Sequence, residues 1–345
     1  MTFNIQIEPS QRTFTTDTDE SILAAAIRQG IGMPYGCKDG ACGSCKCKKI
    51  SGEVVHGPHQ AKALSEDEAQ AGFILACCAK PTSDVVLESR QVTAAGVPPI
   101  KKMPVRVSQL TKPTTDVAIL RLQLPATEPF QYFAGQYVEF LLRDGDRRSY
   151  SMANAPHTQA DLPGMELHIR HMPGGKFTDA VFSTMKERDI LRIEGPYGSF
   201  YLREQSEKPM VFVASGTGFA PIKALLEHLR FTGSSRAVTV YWGGRRPSDL
   251  YLHDWMVATA AAMPNVTYVP VVSDAEAADQ WTGRTGFVHQ AVLDDFADLS
   301  GMEACVCGAP IVVESAQRDF VAQRGLPADA FFADSFTSAA DKATA

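Results

Sequence analysis

No long apolar run occurs in this sequence, and that absence sets a first limit on the protein. Nowhere do eighteen apolar residues follow one another, and the opening stretch MTFNIQIEPSQRTF has no basic segment followed by an apolar one. A membrane-spanning helix and an export signal are therefore not expected. We predict a cytoplasmic protein that has no membrane partner.

Positive charge is not in excess either. The chain carries 33 Lys and Arg against 39 Asp and Glu, a net charge of −6 with the signs interspersed. Because no basic stripe is present to neutralise phosphate backbones, nucleic acid is not expected as a partner. The 345 residues, 45% of them hydrophobic, are enough for two or three cores, which excludes disordered and fibrous classes. The eight histidines show no ligand spacing, so we expect them to be surface or core groups.

The eight cysteines are clustered, and in a reducing compartment clustering favours a metal site over disulfides. Cys37, Cys42 and Cys45 are separated by four and then two residues, and a distant cysteine follows. This is the plant-type spacing of a [2Fe-2S] cluster, whereas zinc sites more often combine two short C-x2-C hooks. Glycines between the thiolates let the backbone wrap closely and direct amide N–H groups at sulfur.

The fourth ligand is either Cys77 or Cys78, which are adjacent in GFILACCAKP, and the spacing leaves that choice open. Residues 1 to about 90 resemble a plant-type ferredoxin, whose last ligand usually follows a Leu-Ala or similar pair. The resemblance therefore implies Cys77, preceded here by Leu75-Ala76. Cys78 and Cys47 are then expected to be buried or half-buried thiols beside the site.

The remainder of the first segment fits a small domain of sheet and helix. FNIQIEP and QRTFTT alternate like a hairpin, and DESILAAAIRQG is typical of a helix that ends at Gly30. The resemblance implies an α+β β-grasp ferredoxin domain over residues 1–91. The stretch VTAAGVPPIKK then predicts a linker over residues 92–102.

Residues 103–207 contain short strands separated by turn signals, which favours an antiparallel β-barrel. Within them, Arg148-Ser149-Tyr150-Ser151 matches the R-x-Y-[ST] signature of the ferredoxin-NADP reductase superfamily. The segment therefore resembles the FAD domain of that superfamily. The resemblance implies a pyrophosphate clamp at Arg148, a ring stacked on the flavin at Tyr150 and a hydroxyl donor near the flavin N5 at Ser151. Tyr150 and Ser151 are thereby also candidate catalytic residues. These roles suit a guanidinium, an aromatic ring and a hydroxyl.

The turn PGGKFT comes about twenty residues later, before an expected helix. Its main-chain N–H groups and a hydroxyl provide a place for phosphate. It resembles the second pyrophosphate-binding element of the same superfamily, which implies FAD-binding roles for Gly174, Gly175 and Thr178.

Residues 208–345 alternate apolar strands with helices, which predicts an α/β parallel-sheet nucleotide domain. Its first strand leads into GTGFAP, which resembles the G-T-G-x-A-P loop of the superfamily and implies NAD(P)H-binding roles for Gly216, Thr217, Gly218 and Pro221. Later, CGAP resembles the C-G-x-P element that lies beside the nicotinamide.

The C-G-x-P resemblance makes Cys307 both a catalytic and a nucleotide-binding candidate, with Gly308 beside it. Arg245 and Arg246 follow the second strand of this segment and are candidates for binding a 2′-phosphate, yet related chains that use NADH also carry arginines there. We therefore favour NADH and leave NADPH open. Near the C-terminus, Phe336 is the candidate aromatic against the flavin.

The resemblance covers nearly the whole chain and is to one-component reductases that supply oxygenases and deoxysugar dehydrases. It implies electron transfer from NAD(P)H through FAD to the [2Fe-2S] cluster and on to a protein acceptor, an oxygenase or a dehydrase. A stand-alone diaphorase that reduces quinones, ferric complexes or flavin is the alternative, and the intact motifs disfavour a redox-responsive binding protein without turnover. The sequence leaves the acceptor and the oligomeric state open, although a monomer suffices for transfer within the chain.

Overall fold

The structure is a computed structural model, and it describes residues 2–92, 97–160 and 163–337. Residues 93–96 of the predicted linker and residues 338–345 lie outside this description. The chain divides into two compact units, Met1–Pro99 with Ala333–Ala345, and Ile100–Phe332.

The elements of the first unit come in this order: β1 Thr2–Glu8, β2 Arg12–Asp17, α1 Ile22–Arg28, β3 Lys46–Ser51, β4 Val54–His56, α2 Glu66–Gln70, β5 Phe73–Leu75, β6 Ala79–Pro81 and β7 Val85–Glu88. The next segment contains β8 Lys101–Thr111, β9 Val117–Gln123, β10 Tyr137–Leu141, β11 Arg147–Ser151, β12 Met165–Arg170, α3 Lys176–Ser183 and β13 Ile190–Tyr197. The last segment contains β14 Met210–Ser215, α4 Phe219–Thr232, β15 Val238–Gly244, α5 His253–Ala262, β16 Val266–Val272, β17 Arg284–Thr285, α6 Val288–Asp295, β18 Glu303–Gly308, α7 Pro310–Arg324 and β19 Phe331–Ser335.

The first unit is a β-grasp sheet with strand order β2-β1-β7-β3-β5, in which β1 and β7 are parallel neighbours at the centre. The predicted hairpin is β1 and β2, paired antiparallel. Ser21 caps α1 by accepting the Ala24 backbone N–H at 3.2 Å, which satisfies one of the free donors at the helix start. Ile5 and Ile7 of β1 alternate with polar residues and are fully buried, as the two-residue period of a half-buried strand requires.

The second unit begins with an antiparallel sheet of order β11-β10-β13-β8-β9-β12. A bridge between Met152 and Leu167 connects its two ends and closes the barrel. Apolar side chains from alternate positions of the strands fill the interior, among them Val105, Leu120 and Phe140. Closure removes the free sheet edges and places the end of β11 beside β12.

The remaining sheet has the order β17-β16-β15-β14-β18-β19, and the pairings described for β14 to β18 are parallel. Parallel strands leave their carboxyl ends at one edge, where loops from separated parts of the chain meet. The loops that follow β14, β15 and β18 therefore lie together. The predicted combination of a β-grasp domain, an antiparallel barrel and a parallel nucleotide sheet is confirmed.

Among the described residues, no helix is both long enough and apolar enough to cross a membrane.

Candidate functional site

The four predicted ligand thiols lie in two pairs. The Cys37 backbone N–H donates to Cys42 Sγ over 3.3 Å, and the side chains of these two residues are also hydrogen-bond partners. Cys45 Sγ and Cys77 Sγ are 3.2 Å apart, although 32 positions separate them in the chain. Both members of the first pair interact electrostatically with Cys45. The fold thus brings the Cys77 thiol, which follows β5, to the three thiols of the loop before β3.

Two pairs of thiols fit a [2Fe-2S] cluster. Each iron of such a cluster takes two cysteines and two shared sulfides, so sulfurs on one iron lie about 3.8 Å apart for metal–sulfur bonds of about 2.3 Å. A structural zinc ion instead needs four donors around one point. In the described ranges of the chain, no group of three or more His, Cys, Asp or Glu side chains is arranged to hold a metal ion. The arrangement of the four sulfurs in two pairs matches a two-iron centre, in which each iron takes two cysteines.

Hydrogen-bond donors surround the first pair. The Ala41 backbone N–H donates to Cys37 Sγ over 3.3 Å. Hydrogen bonds from the Cys37 and Ser44 side chains and from backbone N–H groups outweigh the effect of burial and lower the pKa of Cys42 to about 6. Donors of this kind stabilise a thiolate, which is the form that binds metal.

Cys77 and Cys78 occupy different surroundings. Cys77 faces Cys45, whereas the Cys78 thiol donates to the Pro58 carbonyl over 3.5 Å and lies 3.5 Å from Cys77 Sγ. A Cβ built on Gly40 would lie only 2.8 Å from Cys78 Sγ, so this thiol is wedged beneath the loop. Cys47 is buried on β3, where burial raises its thiol pKa to about 12, as expected for a bystander.

The R-x-Y-S strand is β11, where Arg148 and Tyr150 share one face because side chains alternate along a strand. The Tyr150 ring contacts Phe177 of α3, with centroids 5.4 Å apart, and burial raises the pKa of its hydroxyl. Arg148 Nη2 donates to Asp146 Oδ2 over 3.2 Å. Ser151 ends the strand and is buried.

The PGGKFT turn lies beside this strand. Lys176 Nζ is 2.9 Å from Asp146 Oδ2, so the carboxylate that holds Arg148 also holds the first residue of α3. No side chain caps α3, whose N-cap is Gly175, and a Cβ at Gly174 would meet open space. Asp146 therefore links Arg148 to the start of α3, where the Asp179 carboxylate accepts the Gly174 N–H over 3.1 Å and the other first-turn N–H groups suit phosphate.

Thr178 has another function in this turn. Its hydroxyl donates to the Met172 carbonyl over 2.9 Å and accepts the Met172 backbone N–H at 3.2 Å, and the side chain is buried. These contacts fold the glycine turn over the helix. Thr178 thus shapes the predicted phosphate site by holding its backbone.

The G-T-G and C-G loops touch through their backbones. A Cβ on Gly218 would lie 2.3 Å from the Cys307 carbonyl oxygen, and one on Gly308 would lie 2.2 Å from Ser215 Oγ. Ser215 Oγ in turn accepts the Ala309 backbone N–H at 2.9 Å. Only glycines permit this approach, which joins the ends of β14 and β18 into one edge.

The other residues predicted in these loops lie at the same edge. Thr217 is buried, and so is Pro221, which lies in the first turn of α4. Cys307 is fully buried and interacts electrostatically with Tyr251. Phe336 directly follows β19 and is half-buried.

The two arginines after β15 differ in their surroundings. Arg246 pairs with Glu276 and lies 3.3 Å from Asp279 Oδ2, and its Nη1 donates to the Asp274 carbonyl over 3.0 Å. Hydrogen bonding to Glu276 raises the pKa of Arg246. Arg245 is exposed, and its backbone N–H donates to Asp249 Oδ2 over 2.8 Å.

Sequence reasoning missed a set of polar residues that joins the barrel to these loops. Arg170 of β12 lies between two carboxylates, with Nη2 2.6 Å from Asp116 Oδ2 and 2.8 Å from Asp249 Oδ1. His168, two residues earlier, is buried and bonded to Glu166 and Tyr251. A signal was present in MELHIRHM, because a strand that alternates apolar residues with Glu, His and Arg carries too many ionisable groups for a plain barrel strand.

Three known families match consecutive parts of the chain. Residues 5–82 match the 2Fe-2S iron-sulfur cluster binding domain, residues 104–201 the oxidoreductase FAD-binding domain, and residues 212–318 the oxidoreductase NAD-binding domain. The order is the one that the motifs predicted.

Full-length relatives agree with these matches. The CDP-6-deoxy-L-threo-D-glycero-4-hexulose-3-dehydrase reductase of Yersinia pseudotuberculosis is 41% identical over 97% of this chain and 99% of that protein. The phenol hydroxylase P5 protein of Acinetobacter pittii is 34% identical over 99% of this chain and 97% of its own length. A crystal structure of an Amycolatopsis cytochrome P-450 reductase superposes with a TM-score of 0.77 at 32% identity, covering 97% of this chain and 99% of the other.

Proposed function

The chain belongs to the family of iron–sulfur flavoprotein reductases that includes the CDP-6-deoxyhexulose-3-dehydrase reductases and the reductase components of oxygenases, and from that premise we propose residue roles, a nucleotide and an acceptor for it. It is an NAD(P)H-dependent oxidoreductase with [2Fe-2S], FAD and NAD domains. The observation that carries the proposal is the pairing of four thiols in the same chain as the flavin and nucleotide loops.

In this proposal Cys37 and Cys42 bind one iron, and Cys45 and Cys77 bind the other. When bound, the nicotinamide supplies hydride, FAD accepts two electrons and releases them singly, and the cluster accepts one electron at a time. The Ala41 N–H and its neighbours hold the thiolates in their charged form.

On the flavin side, Arg148 and the open start of α3 hold a pyrophosphate. Asp146 keeps the two together, because it bonds both Arg148 and Lys176. Tyr150, fixed by its contact with Phe177, presents its ring to the flavin, and the hydroxyl of Ser151 at the end of the strand donates to it. Phe336 stays a prediction as the aromatic residue against the flavin.

On the nucleotide side, the glycine contacts between the G-T-G and C-G loops leave a bare backbone edge for the dinucleotide. Gly216, Thr217 and Gly218 begin the turn into α4, where Pro221 provides a preset backbone angle and the N–H groups face phosphate. Cys307 and Gly308 close the same edge beside the reacting ring.

We propose NADH as the preferred donor. The guanidinium of Arg246 is already neutralised by Glu276 and Asp279, so a 2′-phosphate would have to displace a carboxylate and then lie beside the remaining one. Like charges at such distances are repulsive, whereas a ribose hydroxyl suits an acidic loop. Arg245 remains exposed and is the residue that permits some NADPH use.

The proposed acceptor is a protein, and the dehydrase class comes first. Dehydrase reductases are 41% identical to this chain, whereas the phenol hydroxylase and terephthalate dioxygenase components are 34% identical. Eight free thiols also suit a reducing compartment, so the proposal includes a cytoplasmic location.

The test is an electron-transfer assay with the purified holoprotein. We expect two irons and one flavin per chain, NADH-dependent reduction of both ferricyanide and cytochrome c, and faster NADH oxidation when a 3-dehydrase of CDP-4-keto-6-deoxyhexose is added with its sugar substrate. An oxygenase component that stimulates turnover instead would move the acceptor to that class. Rapid reduction of quinones with no stimulation by any protein acceptor would favour the stand-alone diaphorase.

A further inference from the structure

Two residues of one barrel strand hold two residues of the nucleotide segment. His168 and Arg170 lie on the same face of β12, since they are two positions apart. His168 Nδ1 is 2.7 Å from the Tyr251 hydroxyl, and Arg170 Nη2 donates to Asp249 Oδ1 over 2.8 Å. We name these four residues, His168, Arg170, Asp249 and Tyr251, the clasp.

Glu166 sets the direction of the His168–Tyr251 hydrogen bond, and it lies on the same face of β12 as His168, opposite the core residues Met165 and Leu167. Glu166 Oε1 lies 2.9 Å from His168 Nε2, and an ionised carboxylate only accepts hydrogen bonds. Burial disfavours the charge on Glu166, but the hydrogen bond from His168 and the charges of Lys223 and Arg121 outweigh it and lower its pKa to about 2. Burial lowers the pKa of His168 and so favours the neutral imidazole, which carries its proton on Nε2 and accepts the Tyr251 hydroxyl proton at Nδ1.

The clasp extends to both nucleotide loops. Asp249 Oδ2 accepts the backbone N–H groups of Arg245 at 2.8 Å and of Arg246 at 3.0 Å, and so shapes the loop after β15. The Tyr251 ring meets Trp242 edge-on at 5.3 Å.

Trp242 carries the connection to the G-T-G loop. Its Nε1 donates to the Gly216 carbonyl over 3.0 Å, and its ring stacks on Phe219 at 3.8 Å. One strand face of the barrel is therefore linked through continuous contacts to the G-T-G loop and to the loop after β15.

Burial makes this arrangement costly. Glu166, His168 and Lys223 are each less than a tenth exposed, and Lys223 Nζ is 3.2 Å from Glu166 Oε1. Buried ionic groups rarely add net stability compared with apolar residues of the same volume, but they restrict the geometry in which the parts can pack. An apolar contact would let the barrel and the nucleotide segment shift against each other, whereas these directional bonds allow only one arrangement of the two.

We propose that the clasp positions the nucleotide loops against the flavin barrel for hydride transfer. Tyr251 is the positioning residue, and its replacement should affect the rate of hydride transfer rather than only the stability of the fold. This inference rests on the proposed function. Tyr251 acts through Trp242 and Gly216, and it also interacts electrostatically with the predicted catalytic residue Cys307.

The test compares Tyr251→Phe with Tyr268→Phe in the holoprotein. The control removes a hydrogen bond of the same kind, because His253 Nδ1 lies 3.1 Å from the Tyr268 hydroxyl. Stopped-flow reduction of the flavin by NADH should slow about tenfold or more in Tyr251→Phe, since small misplacements of reacting groups carry large rate penalties. Tyr268→Phe should stay within about twofold of the parent.

A second measurement needs no nucleotide. Amide hydrogen exchange at Thr217 and Gly218 should speed up in Tyr251→Phe and not in Tyr268→Phe, because Tyr251 is linked to that loop through Trp242. Flavin content and Tm are recorded for both variants.

Equal slowing in the two variants, or an unchanged rate and unchanged exchange in Tyr251→Phe, overturns the inference. A lower Tm with a normal rate per bound flavin also overturns it, since that is the mark of a structural role. If the parent's own flavin is not reduced by NADH, the proposed function fails instead.

Discussion

Replacing Gly218 by alanine tests the backbone contact at the centre of the nucleotide site. Gly218 has φ −57°, which alanine adopts freely, so only the space around the new methyl group matters. Its Cβ would lie 2.3 Å from the Cys307 oxygen and 2.8 Å from Gly308 Cα, and both neighbours are backbone atoms. Ordinary contacts of this kind are about 3.5 Å, so the two loops must separate by about 1 Å.

A shift of this size affects activity more than stability. Overpacking costs about 1–3 kcal/mol, and better helix propensity at the start of α4 returns up to about 1 kcal/mol. Tm should therefore fall by only a few degrees. A 1 Å misplacement at a reacting site can cost about a hundredfold, and we expect a loss of that order in kcat/KM for NADH with ferricyanide as acceptor.

Gly301→Ala is the matched control. It lies in the same segment, and its Cβ would meet nothing within 4 Å. Gly301→Ala should keep parental activity. If Gly218→Ala keeps kcat/KM within about threefold of this control, the two loops do not form the nucleotide edge as described.

Three further predictions concern the cluster, the nucleotide and the buried carboxylate. Cys77→Ser should lose iron and cytochrome c reduction while ferricyanide turnover persists, and Cys78→Ser should retain two irons; the opposite pattern would make Cys78 the ligand. The double variant Glu276→Gln, Asp279→Asn should raise kcat/KM for NADPH about tenfold, because it removes two negative charges beside Arg246. If the ratio of kcat/KM for NADPH to that for NADH is unchanged, Arg246 lies away from the 2′-phosphate. Glu166 has its pKa lowered from 4.5 to about 2, so its ionised form stabilises the fold above pH 4.5 and this contribution fades as the pH falls toward 2. The unfolding free energy of the parent relative to Glu166→Gln should therefore drop by about 2 kcal/mol between pH 7 and pH 3 in urea titrations, and a constant difference would contradict the assignment.

Local motifs made much of this protein predictable. The Cys37, Cys42 and Cys45 spacing and the R-x-Y-S and G-T-G elements each depend on a few adjacent residues, and short-range geometry determines what such a loop can bind. Alternating strands and helices likewise revealed the barrel and the parallel sheet, because side-chain periodicity reflects which face is buried. The three-part fold and its cofactor classes followed from these features.

Contacts between distant residues had no such signal. Cys77 and Cys78 are neighbours in sequence, yet only the path of the chain after β5 turns one thiol toward Cys45 and the other toward Pro58. The sequence predicted that Arg246 is available for a 2′-phosphate, but in the structure two carboxylates from the loop after β16, Glu276 and Asp279, pair with it.

The clasp is the clearest case of the same limit. His168 and Tyr251 are 83 positions apart, and neither belongs to a motif. The sequence by itself determined the elements and the short loops, since those depend on residues close along the chain. Tertiary packing alone decided which charged groups are paired and how the nucleotide loops are anchored, because electrostatic and hydrogen-bond partners are set by distance in space.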